Sequence, residues 1–232
     1  MRFRPAALIV PVGVMTLLAG FIACVEPRKD YDDFLGNTSN SRTSPEAGGG
    51  LADVEVDSKP PTQAVEGLYV ATCITVLSSS ADNVLRFYTK TKFTPDAATG
   101  GGKLTMNMTP LKGYADGKAI QPKCACTSET LGSTLNVTDA PVDKSGKFNA
   151  NLGKIDLPPE ANGISGRAIT LDPIILDGRF SESGFCSILS GKVTAPIQIA
   201  LDASDPRNIC LFVPIKDGDT VPTYKDADFV CK

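Results

Sequence analysis

Apolar and polar residues alternate along most of the chain from residue 66 to the C-terminus. Near residue 70, one face of the predicted strand carries Leu68, Val70, Thr72, Ile74 and Val76, and the other carries Tyr69, Ala71, Cys73 and Thr75. Such alternation is typical of a β-strand, because successive side chains point to opposite faces. No segment combines helical apolar spacing with a capping residue. The sequence therefore predicts an antiparallel all-β domain, either a meander barrel or a two-sheet sandwich.

Turn residues divide this domain into predicted hairpins. The alternating runs 85–93 and 103–108 flank the loop 95–102, whose last three residues are glycines. A second turn is expected within 142–148, and Asp177-Gly178 predicts a third, because this dipeptide favours tight hairpin turns. Further strands are expected at 192–201 and 208–215, with Pro196 at an edge or a bulge. The phenylalanines expected to face the core are Phe87, Phe93, Phe148, Phe180 and Phe212.

The N-terminus has the organisation of a secretory signal peptide. Arg2 and Arg4 precede an apolar run over residues 5–23, and the small residue Ala23 ends it. The segment 21–24, Phe-Ile-Ala-Cys, resembles the lipobox of bacterial lipoproteins. That resemblance implies removal of residues 1–23 and attachment of lipid to Cys24, which anchors the chain in a membrane. Because Val25 rather than Asp follows the cysteine, the family's sorting rule implies the outer membrane.

Two other interpretations of the same segment remain open. The apolar run is long enough for an uncleaved transmembrane anchor, although Pro5 and Pro11 lie within it and no basic cluster follows. Ordinary cleavage to a soluble exported protein would require a small residue in place of Phe21. We expect the lipid-anchored form.

Residues 24–65 are predicted to form a flexible tether. They include a polar Asn-Thr-Ser-Asn-Ser stretch at 37–41, three glycines at 48–50 and two prolines at 60–61. A linker of this composition has a root-mean-square reach of about 35 Å. The segment 31–35, Tyr-Asp-Asp-Phe-Leu, is interpreted as part of this linker, with a short docking motif as the alternative.

Six cysteines follow Cys24, and an even number in an exported chain predicts disulfide bonds. They are Cys73, Cys124, Cys126, Cys186, Cys210 and Cys231. Six cysteines allow 15 pairings, which sequence cannot separate. Because Cys124 and Cys126 would point the same way on a strand, we expect them to bridge to different partners. A cysteine-only zinc site is the alternative, but the paired two-residue spacings of such sites are missing.

Composition and motifs argue against several kinds of activity. The chain has no histidine, which excludes Ser-His-Asp and Cys-His catalysis. Its formal charge of −3, or −5 without residues 1–23, disfavours nucleic acid as a partner. Paired aspartates are expected in turns rather than in a catalytic or calcium site; they are Asp202/Asp205, Asp217/Asp219 and Asp226/Asp228. We predict a protein that is not an enzyme and holds no cofactor or metal.

Two function classes remain. The first is a structural or interaction domain of the cell envelope, with an envelope protein as its partner. The second is a carrier of a small apolar ligand, because Gly67-Leu68-Tyr69 resembles the Gly-x-Trp start of the first lipocalin strand, with Tyr69 in place of Trp. An empty apolar cavity of about 300 Å³ or more would favour the carrier, and a filled interior would favour the interaction domain.

Overall fold

The computed structural model describes residues 60–78, 80–180 and 185–230. Outside the described residues lie the predicted signal peptide, Cys24, the segment 31–35, the predicted tether up to residue 59, and Cys231. The predictions made for them stay predictions.

The described residues form an antiparallel β-barrel of eight strands. Eleven strands are present in the described residues: β1 (Val65–Ile74), β2 (Leu85–Asp96), β3 (Gly101–Pro110), β4 (Tyr114–Ala115), β5 (Lys118–Ala119), β6 (Leu135–Val142), β7 (Lys147–Leu157), β8 (Ile169–Arg179), β9 (Phe185–Ala195), β10 (Ile199–Leu201) and β11 (Ile209–Ile215). Strands β4 and β5 form a separate pair, and β10 extends the sheet beside β9. Short 3-10 helices span Thr127–Glu129, Pro159–Ala161 and Asp226–Asp228. Around the barrel, β1, β2, β3, β6, β7, β8, β9 and β11 follow in chain order, and β11 closes on β1. The predicted meander barrel is confirmed, and the sandwich is not observed.

Most of the predicted hairpins are present, with two corrections. The β2–β3 hairpin and the turn between β6 and β7 form as expected. The turn predicted at Asp177-Gly178 is wrong, since both residues lie within β8. A Cβ atom at position 178 would collide with the backbone oxygen of Cys186 and the Phe148 ring, so glycine here permits close packing rather than a turn. The single strand predicted at 192–201 is also wrong, because β9 ends before Pro196 and β10 folds back along it.

The main core lies inside the barrel, and the five phenylalanines predicted to face inward are all buried there. A second apolar layer covers part of the outside. Val70 and Ile74 point outward from β1 but are buried, because the segment 111–125 and the C-terminal residues 217–230 pack over them. We call residues 217–230 the strap. Strand β1 is therefore buried on both faces from Tyr69 to Ile74.

Three contacts hold the strap against the barrel. The Tyr88 hydroxyl donates a hydrogen bond to Asp217 at 2.9 Å. Asp219 pairs with Ala125 as an isolated β-bridge. The Ala81 amide donates to the Asp226 carboxylate at 2.6 Å. The strap thus crosses the outside of β1 and β2 from the level of Tyr88 to the β1–β2 connection at Ala81.

Candidate functional site

The barrel interior, where a carrier would hold its ligand, is filled by aromatic side chains. The Phe185 ring stacks on Phe212 with centroids 4.0 Å apart. It also lies 5.2 Å from Tyr69, 5.2 Å from Phe180 and 5.9 Å from Phe148. These distances are those of direct aromatic contact. The axis of the barrel is therefore packed as a core.

The cleft that the structure offers lies at one end of the barrel, outside this core. It has a volume of about 1090 Å³, is open to solvent, and lies between the β2–β3 hairpin and the β6–β7 turn. Its apolar lining comes from Pro95, Ala97, Pro141, Val142 and Phe148. We call this feature the end cleft. Sequence patterns did not predict it, because its two walls are about forty residues apart in the chain and meet only when β3 pairs with β6.

Glycines allow the two walls to approach each other. A Cβ atom at Gly101 would collide with the backbone oxygen of Val142, and one at Gly102 with the Phe93 ring. Gly100 has a φ of 72°, which side chains rarely tolerate. The run of three glycines therefore serves both the hairpin turn and its packing against β6.

The two aspartates that begin these turns are used to hold backbone amides. Asp96 accepts from the Ala98 amide at 2.9 Å, which holds the pKa of its carboxyl below the usual value. Asp143 accepts from the Ser145 hydroxyl at 2.7 Å and from the amides of Ser145 and Lys147 at 2.8 and 3.0 Å, and these bonds also lower its pKa. Both carboxylates act as turn acceptors rather than as reactive groups.

The remaining charges of the end cleft are of both signs. Lys103 and Asp139 form a surface ion pair at 3.8 Å, and the Asn149 amide donates to Asp177 at 2.5 Å. Lys144 and Lys147 add two further cations to the lining. The site thus combines an apolar lining with a mixed polar rim, a composition typical of protein–protein contact surfaces.

The barrel wall is weakest between β6 and β7. A single residue pair, Val142 and Phe148 next to the turn, joins these two strands in the described ladder. By contrast, ten residue pairs join β2 and β3. Beyond that pair, buried side chains such as Val137 and Leu152 close the wall. A bulge in the β3–β6 ladder, where Asp139 has a φ of 54°, accompanies this divergence.

The predicted cysteines form disulfide bonds both between strands of the barrel and within a loop. Cys73 and Cys210 face each other on β1 and β11 and are bonded across the closure of the barrel. Cys186 is also disulfide-bonded. The expectation that Cys124 and Cys126 bridge to different partners is wrong, because they bond to each other. Both cysteines lie in a loop, where their Cα atoms are 5.3 Å apart, a distance within the usual range for a disulfide. Two side chains on the same side of the chain can therefore bond to each other.

Asp202, Asp205 and Asp217 lie at turns, as predicted, whereas Asp219 forms a β-bridge with Ala125, and Asp226 and Asp228 lie in a short 3-10 helix. Asp202 accepts from the Ser204 amide at 2.8 Å, Asp219 from Lys216 at 2.7 Å and Asp228 from Lys225 at 2.7 Å. Within the described residues, no group of three or more histidine, cysteine or acidic side chains is arranged to hold a metal ion.

One polar cluster escaped the sequence patterns altogether. Arg86 alternates with apolar residues in the same run as Lys90 and Lys92. This pattern predicts that all three side chains lie on the solvent-exposed face of the strand. Lys90 and Lys92 are exposed, but Arg86 is buried under the outer layer beside Thr72 and Tyr224. No local signal reveals this burial, because the covering strap lies more than 130 residues further along the chain.

In the part of the chain that the structure describes, no helix has the length and apolar character needed to cross a membrane. Comparison with known proteins gives no relative: no family model, curated protein or solved structure matches this chain.

Proposed function

We propose that this chain is a lipid-anchored protein of the bacterial cell envelope, which displays its barrel as a non-catalytic interaction domain. The observation that carries the proposal is the filled interior. Phe93 and Phe180 are fully buried and stack at 5.2 Å, so the space that holds the ligand in a carrier barrel is occupied by the protein's own side chains. A barrel packed in this way offers its outer surface for binding.

The end cleft is the proposed contact surface. It joins apolar side chains to a rim of both charges, as contact surfaces do. Strand β1 begins at this same end, because Val65 pairs with Phe93, next to the β2–β3 hairpin. A lipid on Cys24 would therefore be joined, through a tether of the predicted reach, to the end of the barrel that carries the cleft, and envelope proteins would lie within its range.

The chemistry of the described side chains supports a role without catalysis. The cleft carboxylates hold turn amides or pair with neighbours, and no histidine exists to act as a base. Binding requires none of these groups to react.

Site-specific photo-crosslinking in cells tests the contact surface. A photoreactive residue at Lys144 or Asp177, which both line the end cleft, is expected to form the same adduct with one envelope protein. The matched control is Arg167, an exposed residue in the β7–β8 connection at the other end of the barrel. Adducts of equal yield from Arg167, or no adduct from either cleft position, would contradict the proposal.

The anchor is tested separately. Metabolic labelling with a fatty acid is expected to mark the wild-type chain and to leave Cys24→Ser unlabelled. Label on the serine variant, or none on the wild type, would show that the chain is not held by lipid at this cysteine.

The alternative is a lipocalin-like carrier of a small apolar ligand, which the eight-stranded meander barrel favours. The single residue pair between β6 and β7 would then provide the entrance. A carrier should retain a stoichiometric apolar molecule when extracted under mild conditions, whereas the interaction domain should not.

A further inference from the structure

The outer face of the barrel holds a buried polar pair between two apolar clusters. Thr72 on β1 lies directly opposite Arg86 on β2, and their relative exposures are 0% and 2%. On one side of this pair lie Val70 and Tyr88, and on the other lie Ile74 and Val84. The strap covers all of them, with Val221 over the first cluster and Phe229 over the second.

Three buried polar atoms in this row form no hydrogen bond of full geometry. They are Nε of Arg86, Oγ1 of Thr72 and the hydroxyl oxygen of Tyr224, which belongs to the strap; the Thr72 and Tyr224 hydroxyls lie close enough to interact with each other, whereas Nε of Arg86 faces no partner. The guanidinium makes one long contact, from Nη1 to the carbonyl of Ile120 at 3.4 Å. Buried polar atoms are normally satisfied, so three together indicate a bound group that they share.

The guanidinium also lacks a counter-charge at close range. Among the described residues, no carboxylate forms an ion pair with it. Asp82 and Asp228, both exposed, are the acidic side chains whose fields reach this row, Asp82 acting on Arg86 and Asp228 on Tyr224. An arginine cannot escape the cost of burial by losing its proton at ordinary pH, so its charge has to be compensated.

The chemistry of the three side chains defines what can compensate it. Arg86 donates only, and burial raises the pKa of the Tyr224 hydroxyl, which keeps its proton available for donation. Thr72 supplies a second hydroxyl. A row of N–H and O–H donors around one positive charge matches a small monovalent anion. A water molecule would accept hydrogen bonds from the donors but would leave the positive charge of Arg86 uncompensated. A divalent oxyanion would compensate that charge but would leave one buried negative charge in its place.

We propose that Arg86, Thr72 and Tyr224 bind a monovalent anion of the chloride class beneath the strap. The anion accepts from the Arg86 guanidinium on the barrel and from Tyr224 on the strap, and so joins the outer layer to the barrel wall. Its binding is coupled to folding, because the three donors meet only when the strap is in place.

The experiment measures unfolding of the full chain as a function of chloride at constant ionic strength, with gluconate as the replacing anion. The wild-type midpoint is expected to rise with chloride and with bromide. Arg86→Met is expected to fold, because removing a buried charge relieves its desolvation, and to lose the chloride response. Tyr224→Phe keeps the ring and is expected to weaken the apparent chloride affinity about tenfold, as loss of a hydrogen bond to a charged partner does.

Tyr114→Phe is the matched control, since Tyr114 lies in the short strand β4, outside this row, and its variant should keep the full response. Crystals grown in bromide give the direct readout. An anomalous peak within hydrogen-bond reach of Arg86 Nε and the Tyr224 hydroxyl would establish the site. Equal wild-type midpoints in chloride and gluconate, or bromide crystals that show water at this position, would overturn the proposal.

Discussion

Replacing Phe185 by alanine tests the packing of the barrel interior. This ring contacts Tyr69, Phe148, Phe180 and Phe212, so its removal opens a cavity in the middle of the aromatic core. Truncation of a buried phenylalanine costs about 3–5 kcal/mol, the sum of lost transfer free energy and the cavity left behind. For a domain of this size, each kcal/mol lowers the melting temperature by about 2–4 °C. We therefore expect Phe185→Ala to melt roughly 6–20 °C below the wild type.

Urea unfolding with the disulfides intact provides the assay, because the midpoint and the slope can be separated. The slope should remain unchanged, and the midpoint should fall. Ile197→Ala is the control, since this side chain is 44% exposed in the β9–β10 turn and its loss should change the free energy of unfolding by less than about 0.5 kcal/mol. The new cavity should also bind benzene, which the wild type should not, because a dry apolar cavity accepts such ligands. A loss of under about 1 kcal/mol for Phe185→Ala would refute the filled interior.

Three further predictions concern the disulfides, the strap and the barrel wall. Replacing Cys73 and Cys210 by alanine should lower the free energy of unfolding by up to about 5 kcal/mol, because this bond closes a loop of 137 residues. Replacing Cys124 and Cys126, which are two residues apart, should lower it by less than about 2 kcal/mol. Urea unfolding of both variants measures the difference. Burial and the hydrogen bond to a strap carboxylate raise the pKa of Tyr88 to about 12 from 10.0, so its contribution to stability is complete below pH 10 and is lost as the pH rises toward 12. Unfolding midpoints from pH 9 to 12 should fall less steeply in Tyr88→Phe, and an identical pH profile would count against this assignment. Amides of β6 and β7 that face each other should exchange hydrogen faster than those between β2 and β3, because one residue pair joins the former strands; equal protection would show a closed ladder.

Local alternation carried enough information to predict β1, β2, β3 and β11 and the inward face of the barrel. Phe87 and Phe93 occupy alternate positions of one run, and the structure buries both. Turn residues at short intervals left a meander barrel and a two-sheet sandwich open, and only the structure decided for the barrel. The error at Gly178 has a clear physical cause, since a glycine can serve close packing as well as a turn and sequence alone does not distinguish the two.

Contacts between distant segments could not be predicted in this way. Arg86 has the local pattern of an exposed residue and becomes buried only because the strap returns to cover it. The end cleft likewise depends on the pairing of β3 with β6, which brings Lys103 and Asp139 together. The bond between Cys124 and Cys126 depends on a loop conformation for which strand-based reasoning had no rule.

Mass spectrometry of the protein extracted from its own membrane tests the central claim most directly. We propose a chain that is anchored by lipid on Cys24 and has a barrel already filled by its own side chains. Under native conditions, we predict the mass of the chain from Cys24 onward plus its covalent lipid, with no additional bound organic molecule. A stoichiometric apolar ligand that dissociates on unfolding would contradict the filled barrel, and an unmodified Cys24 would contradict the anchor.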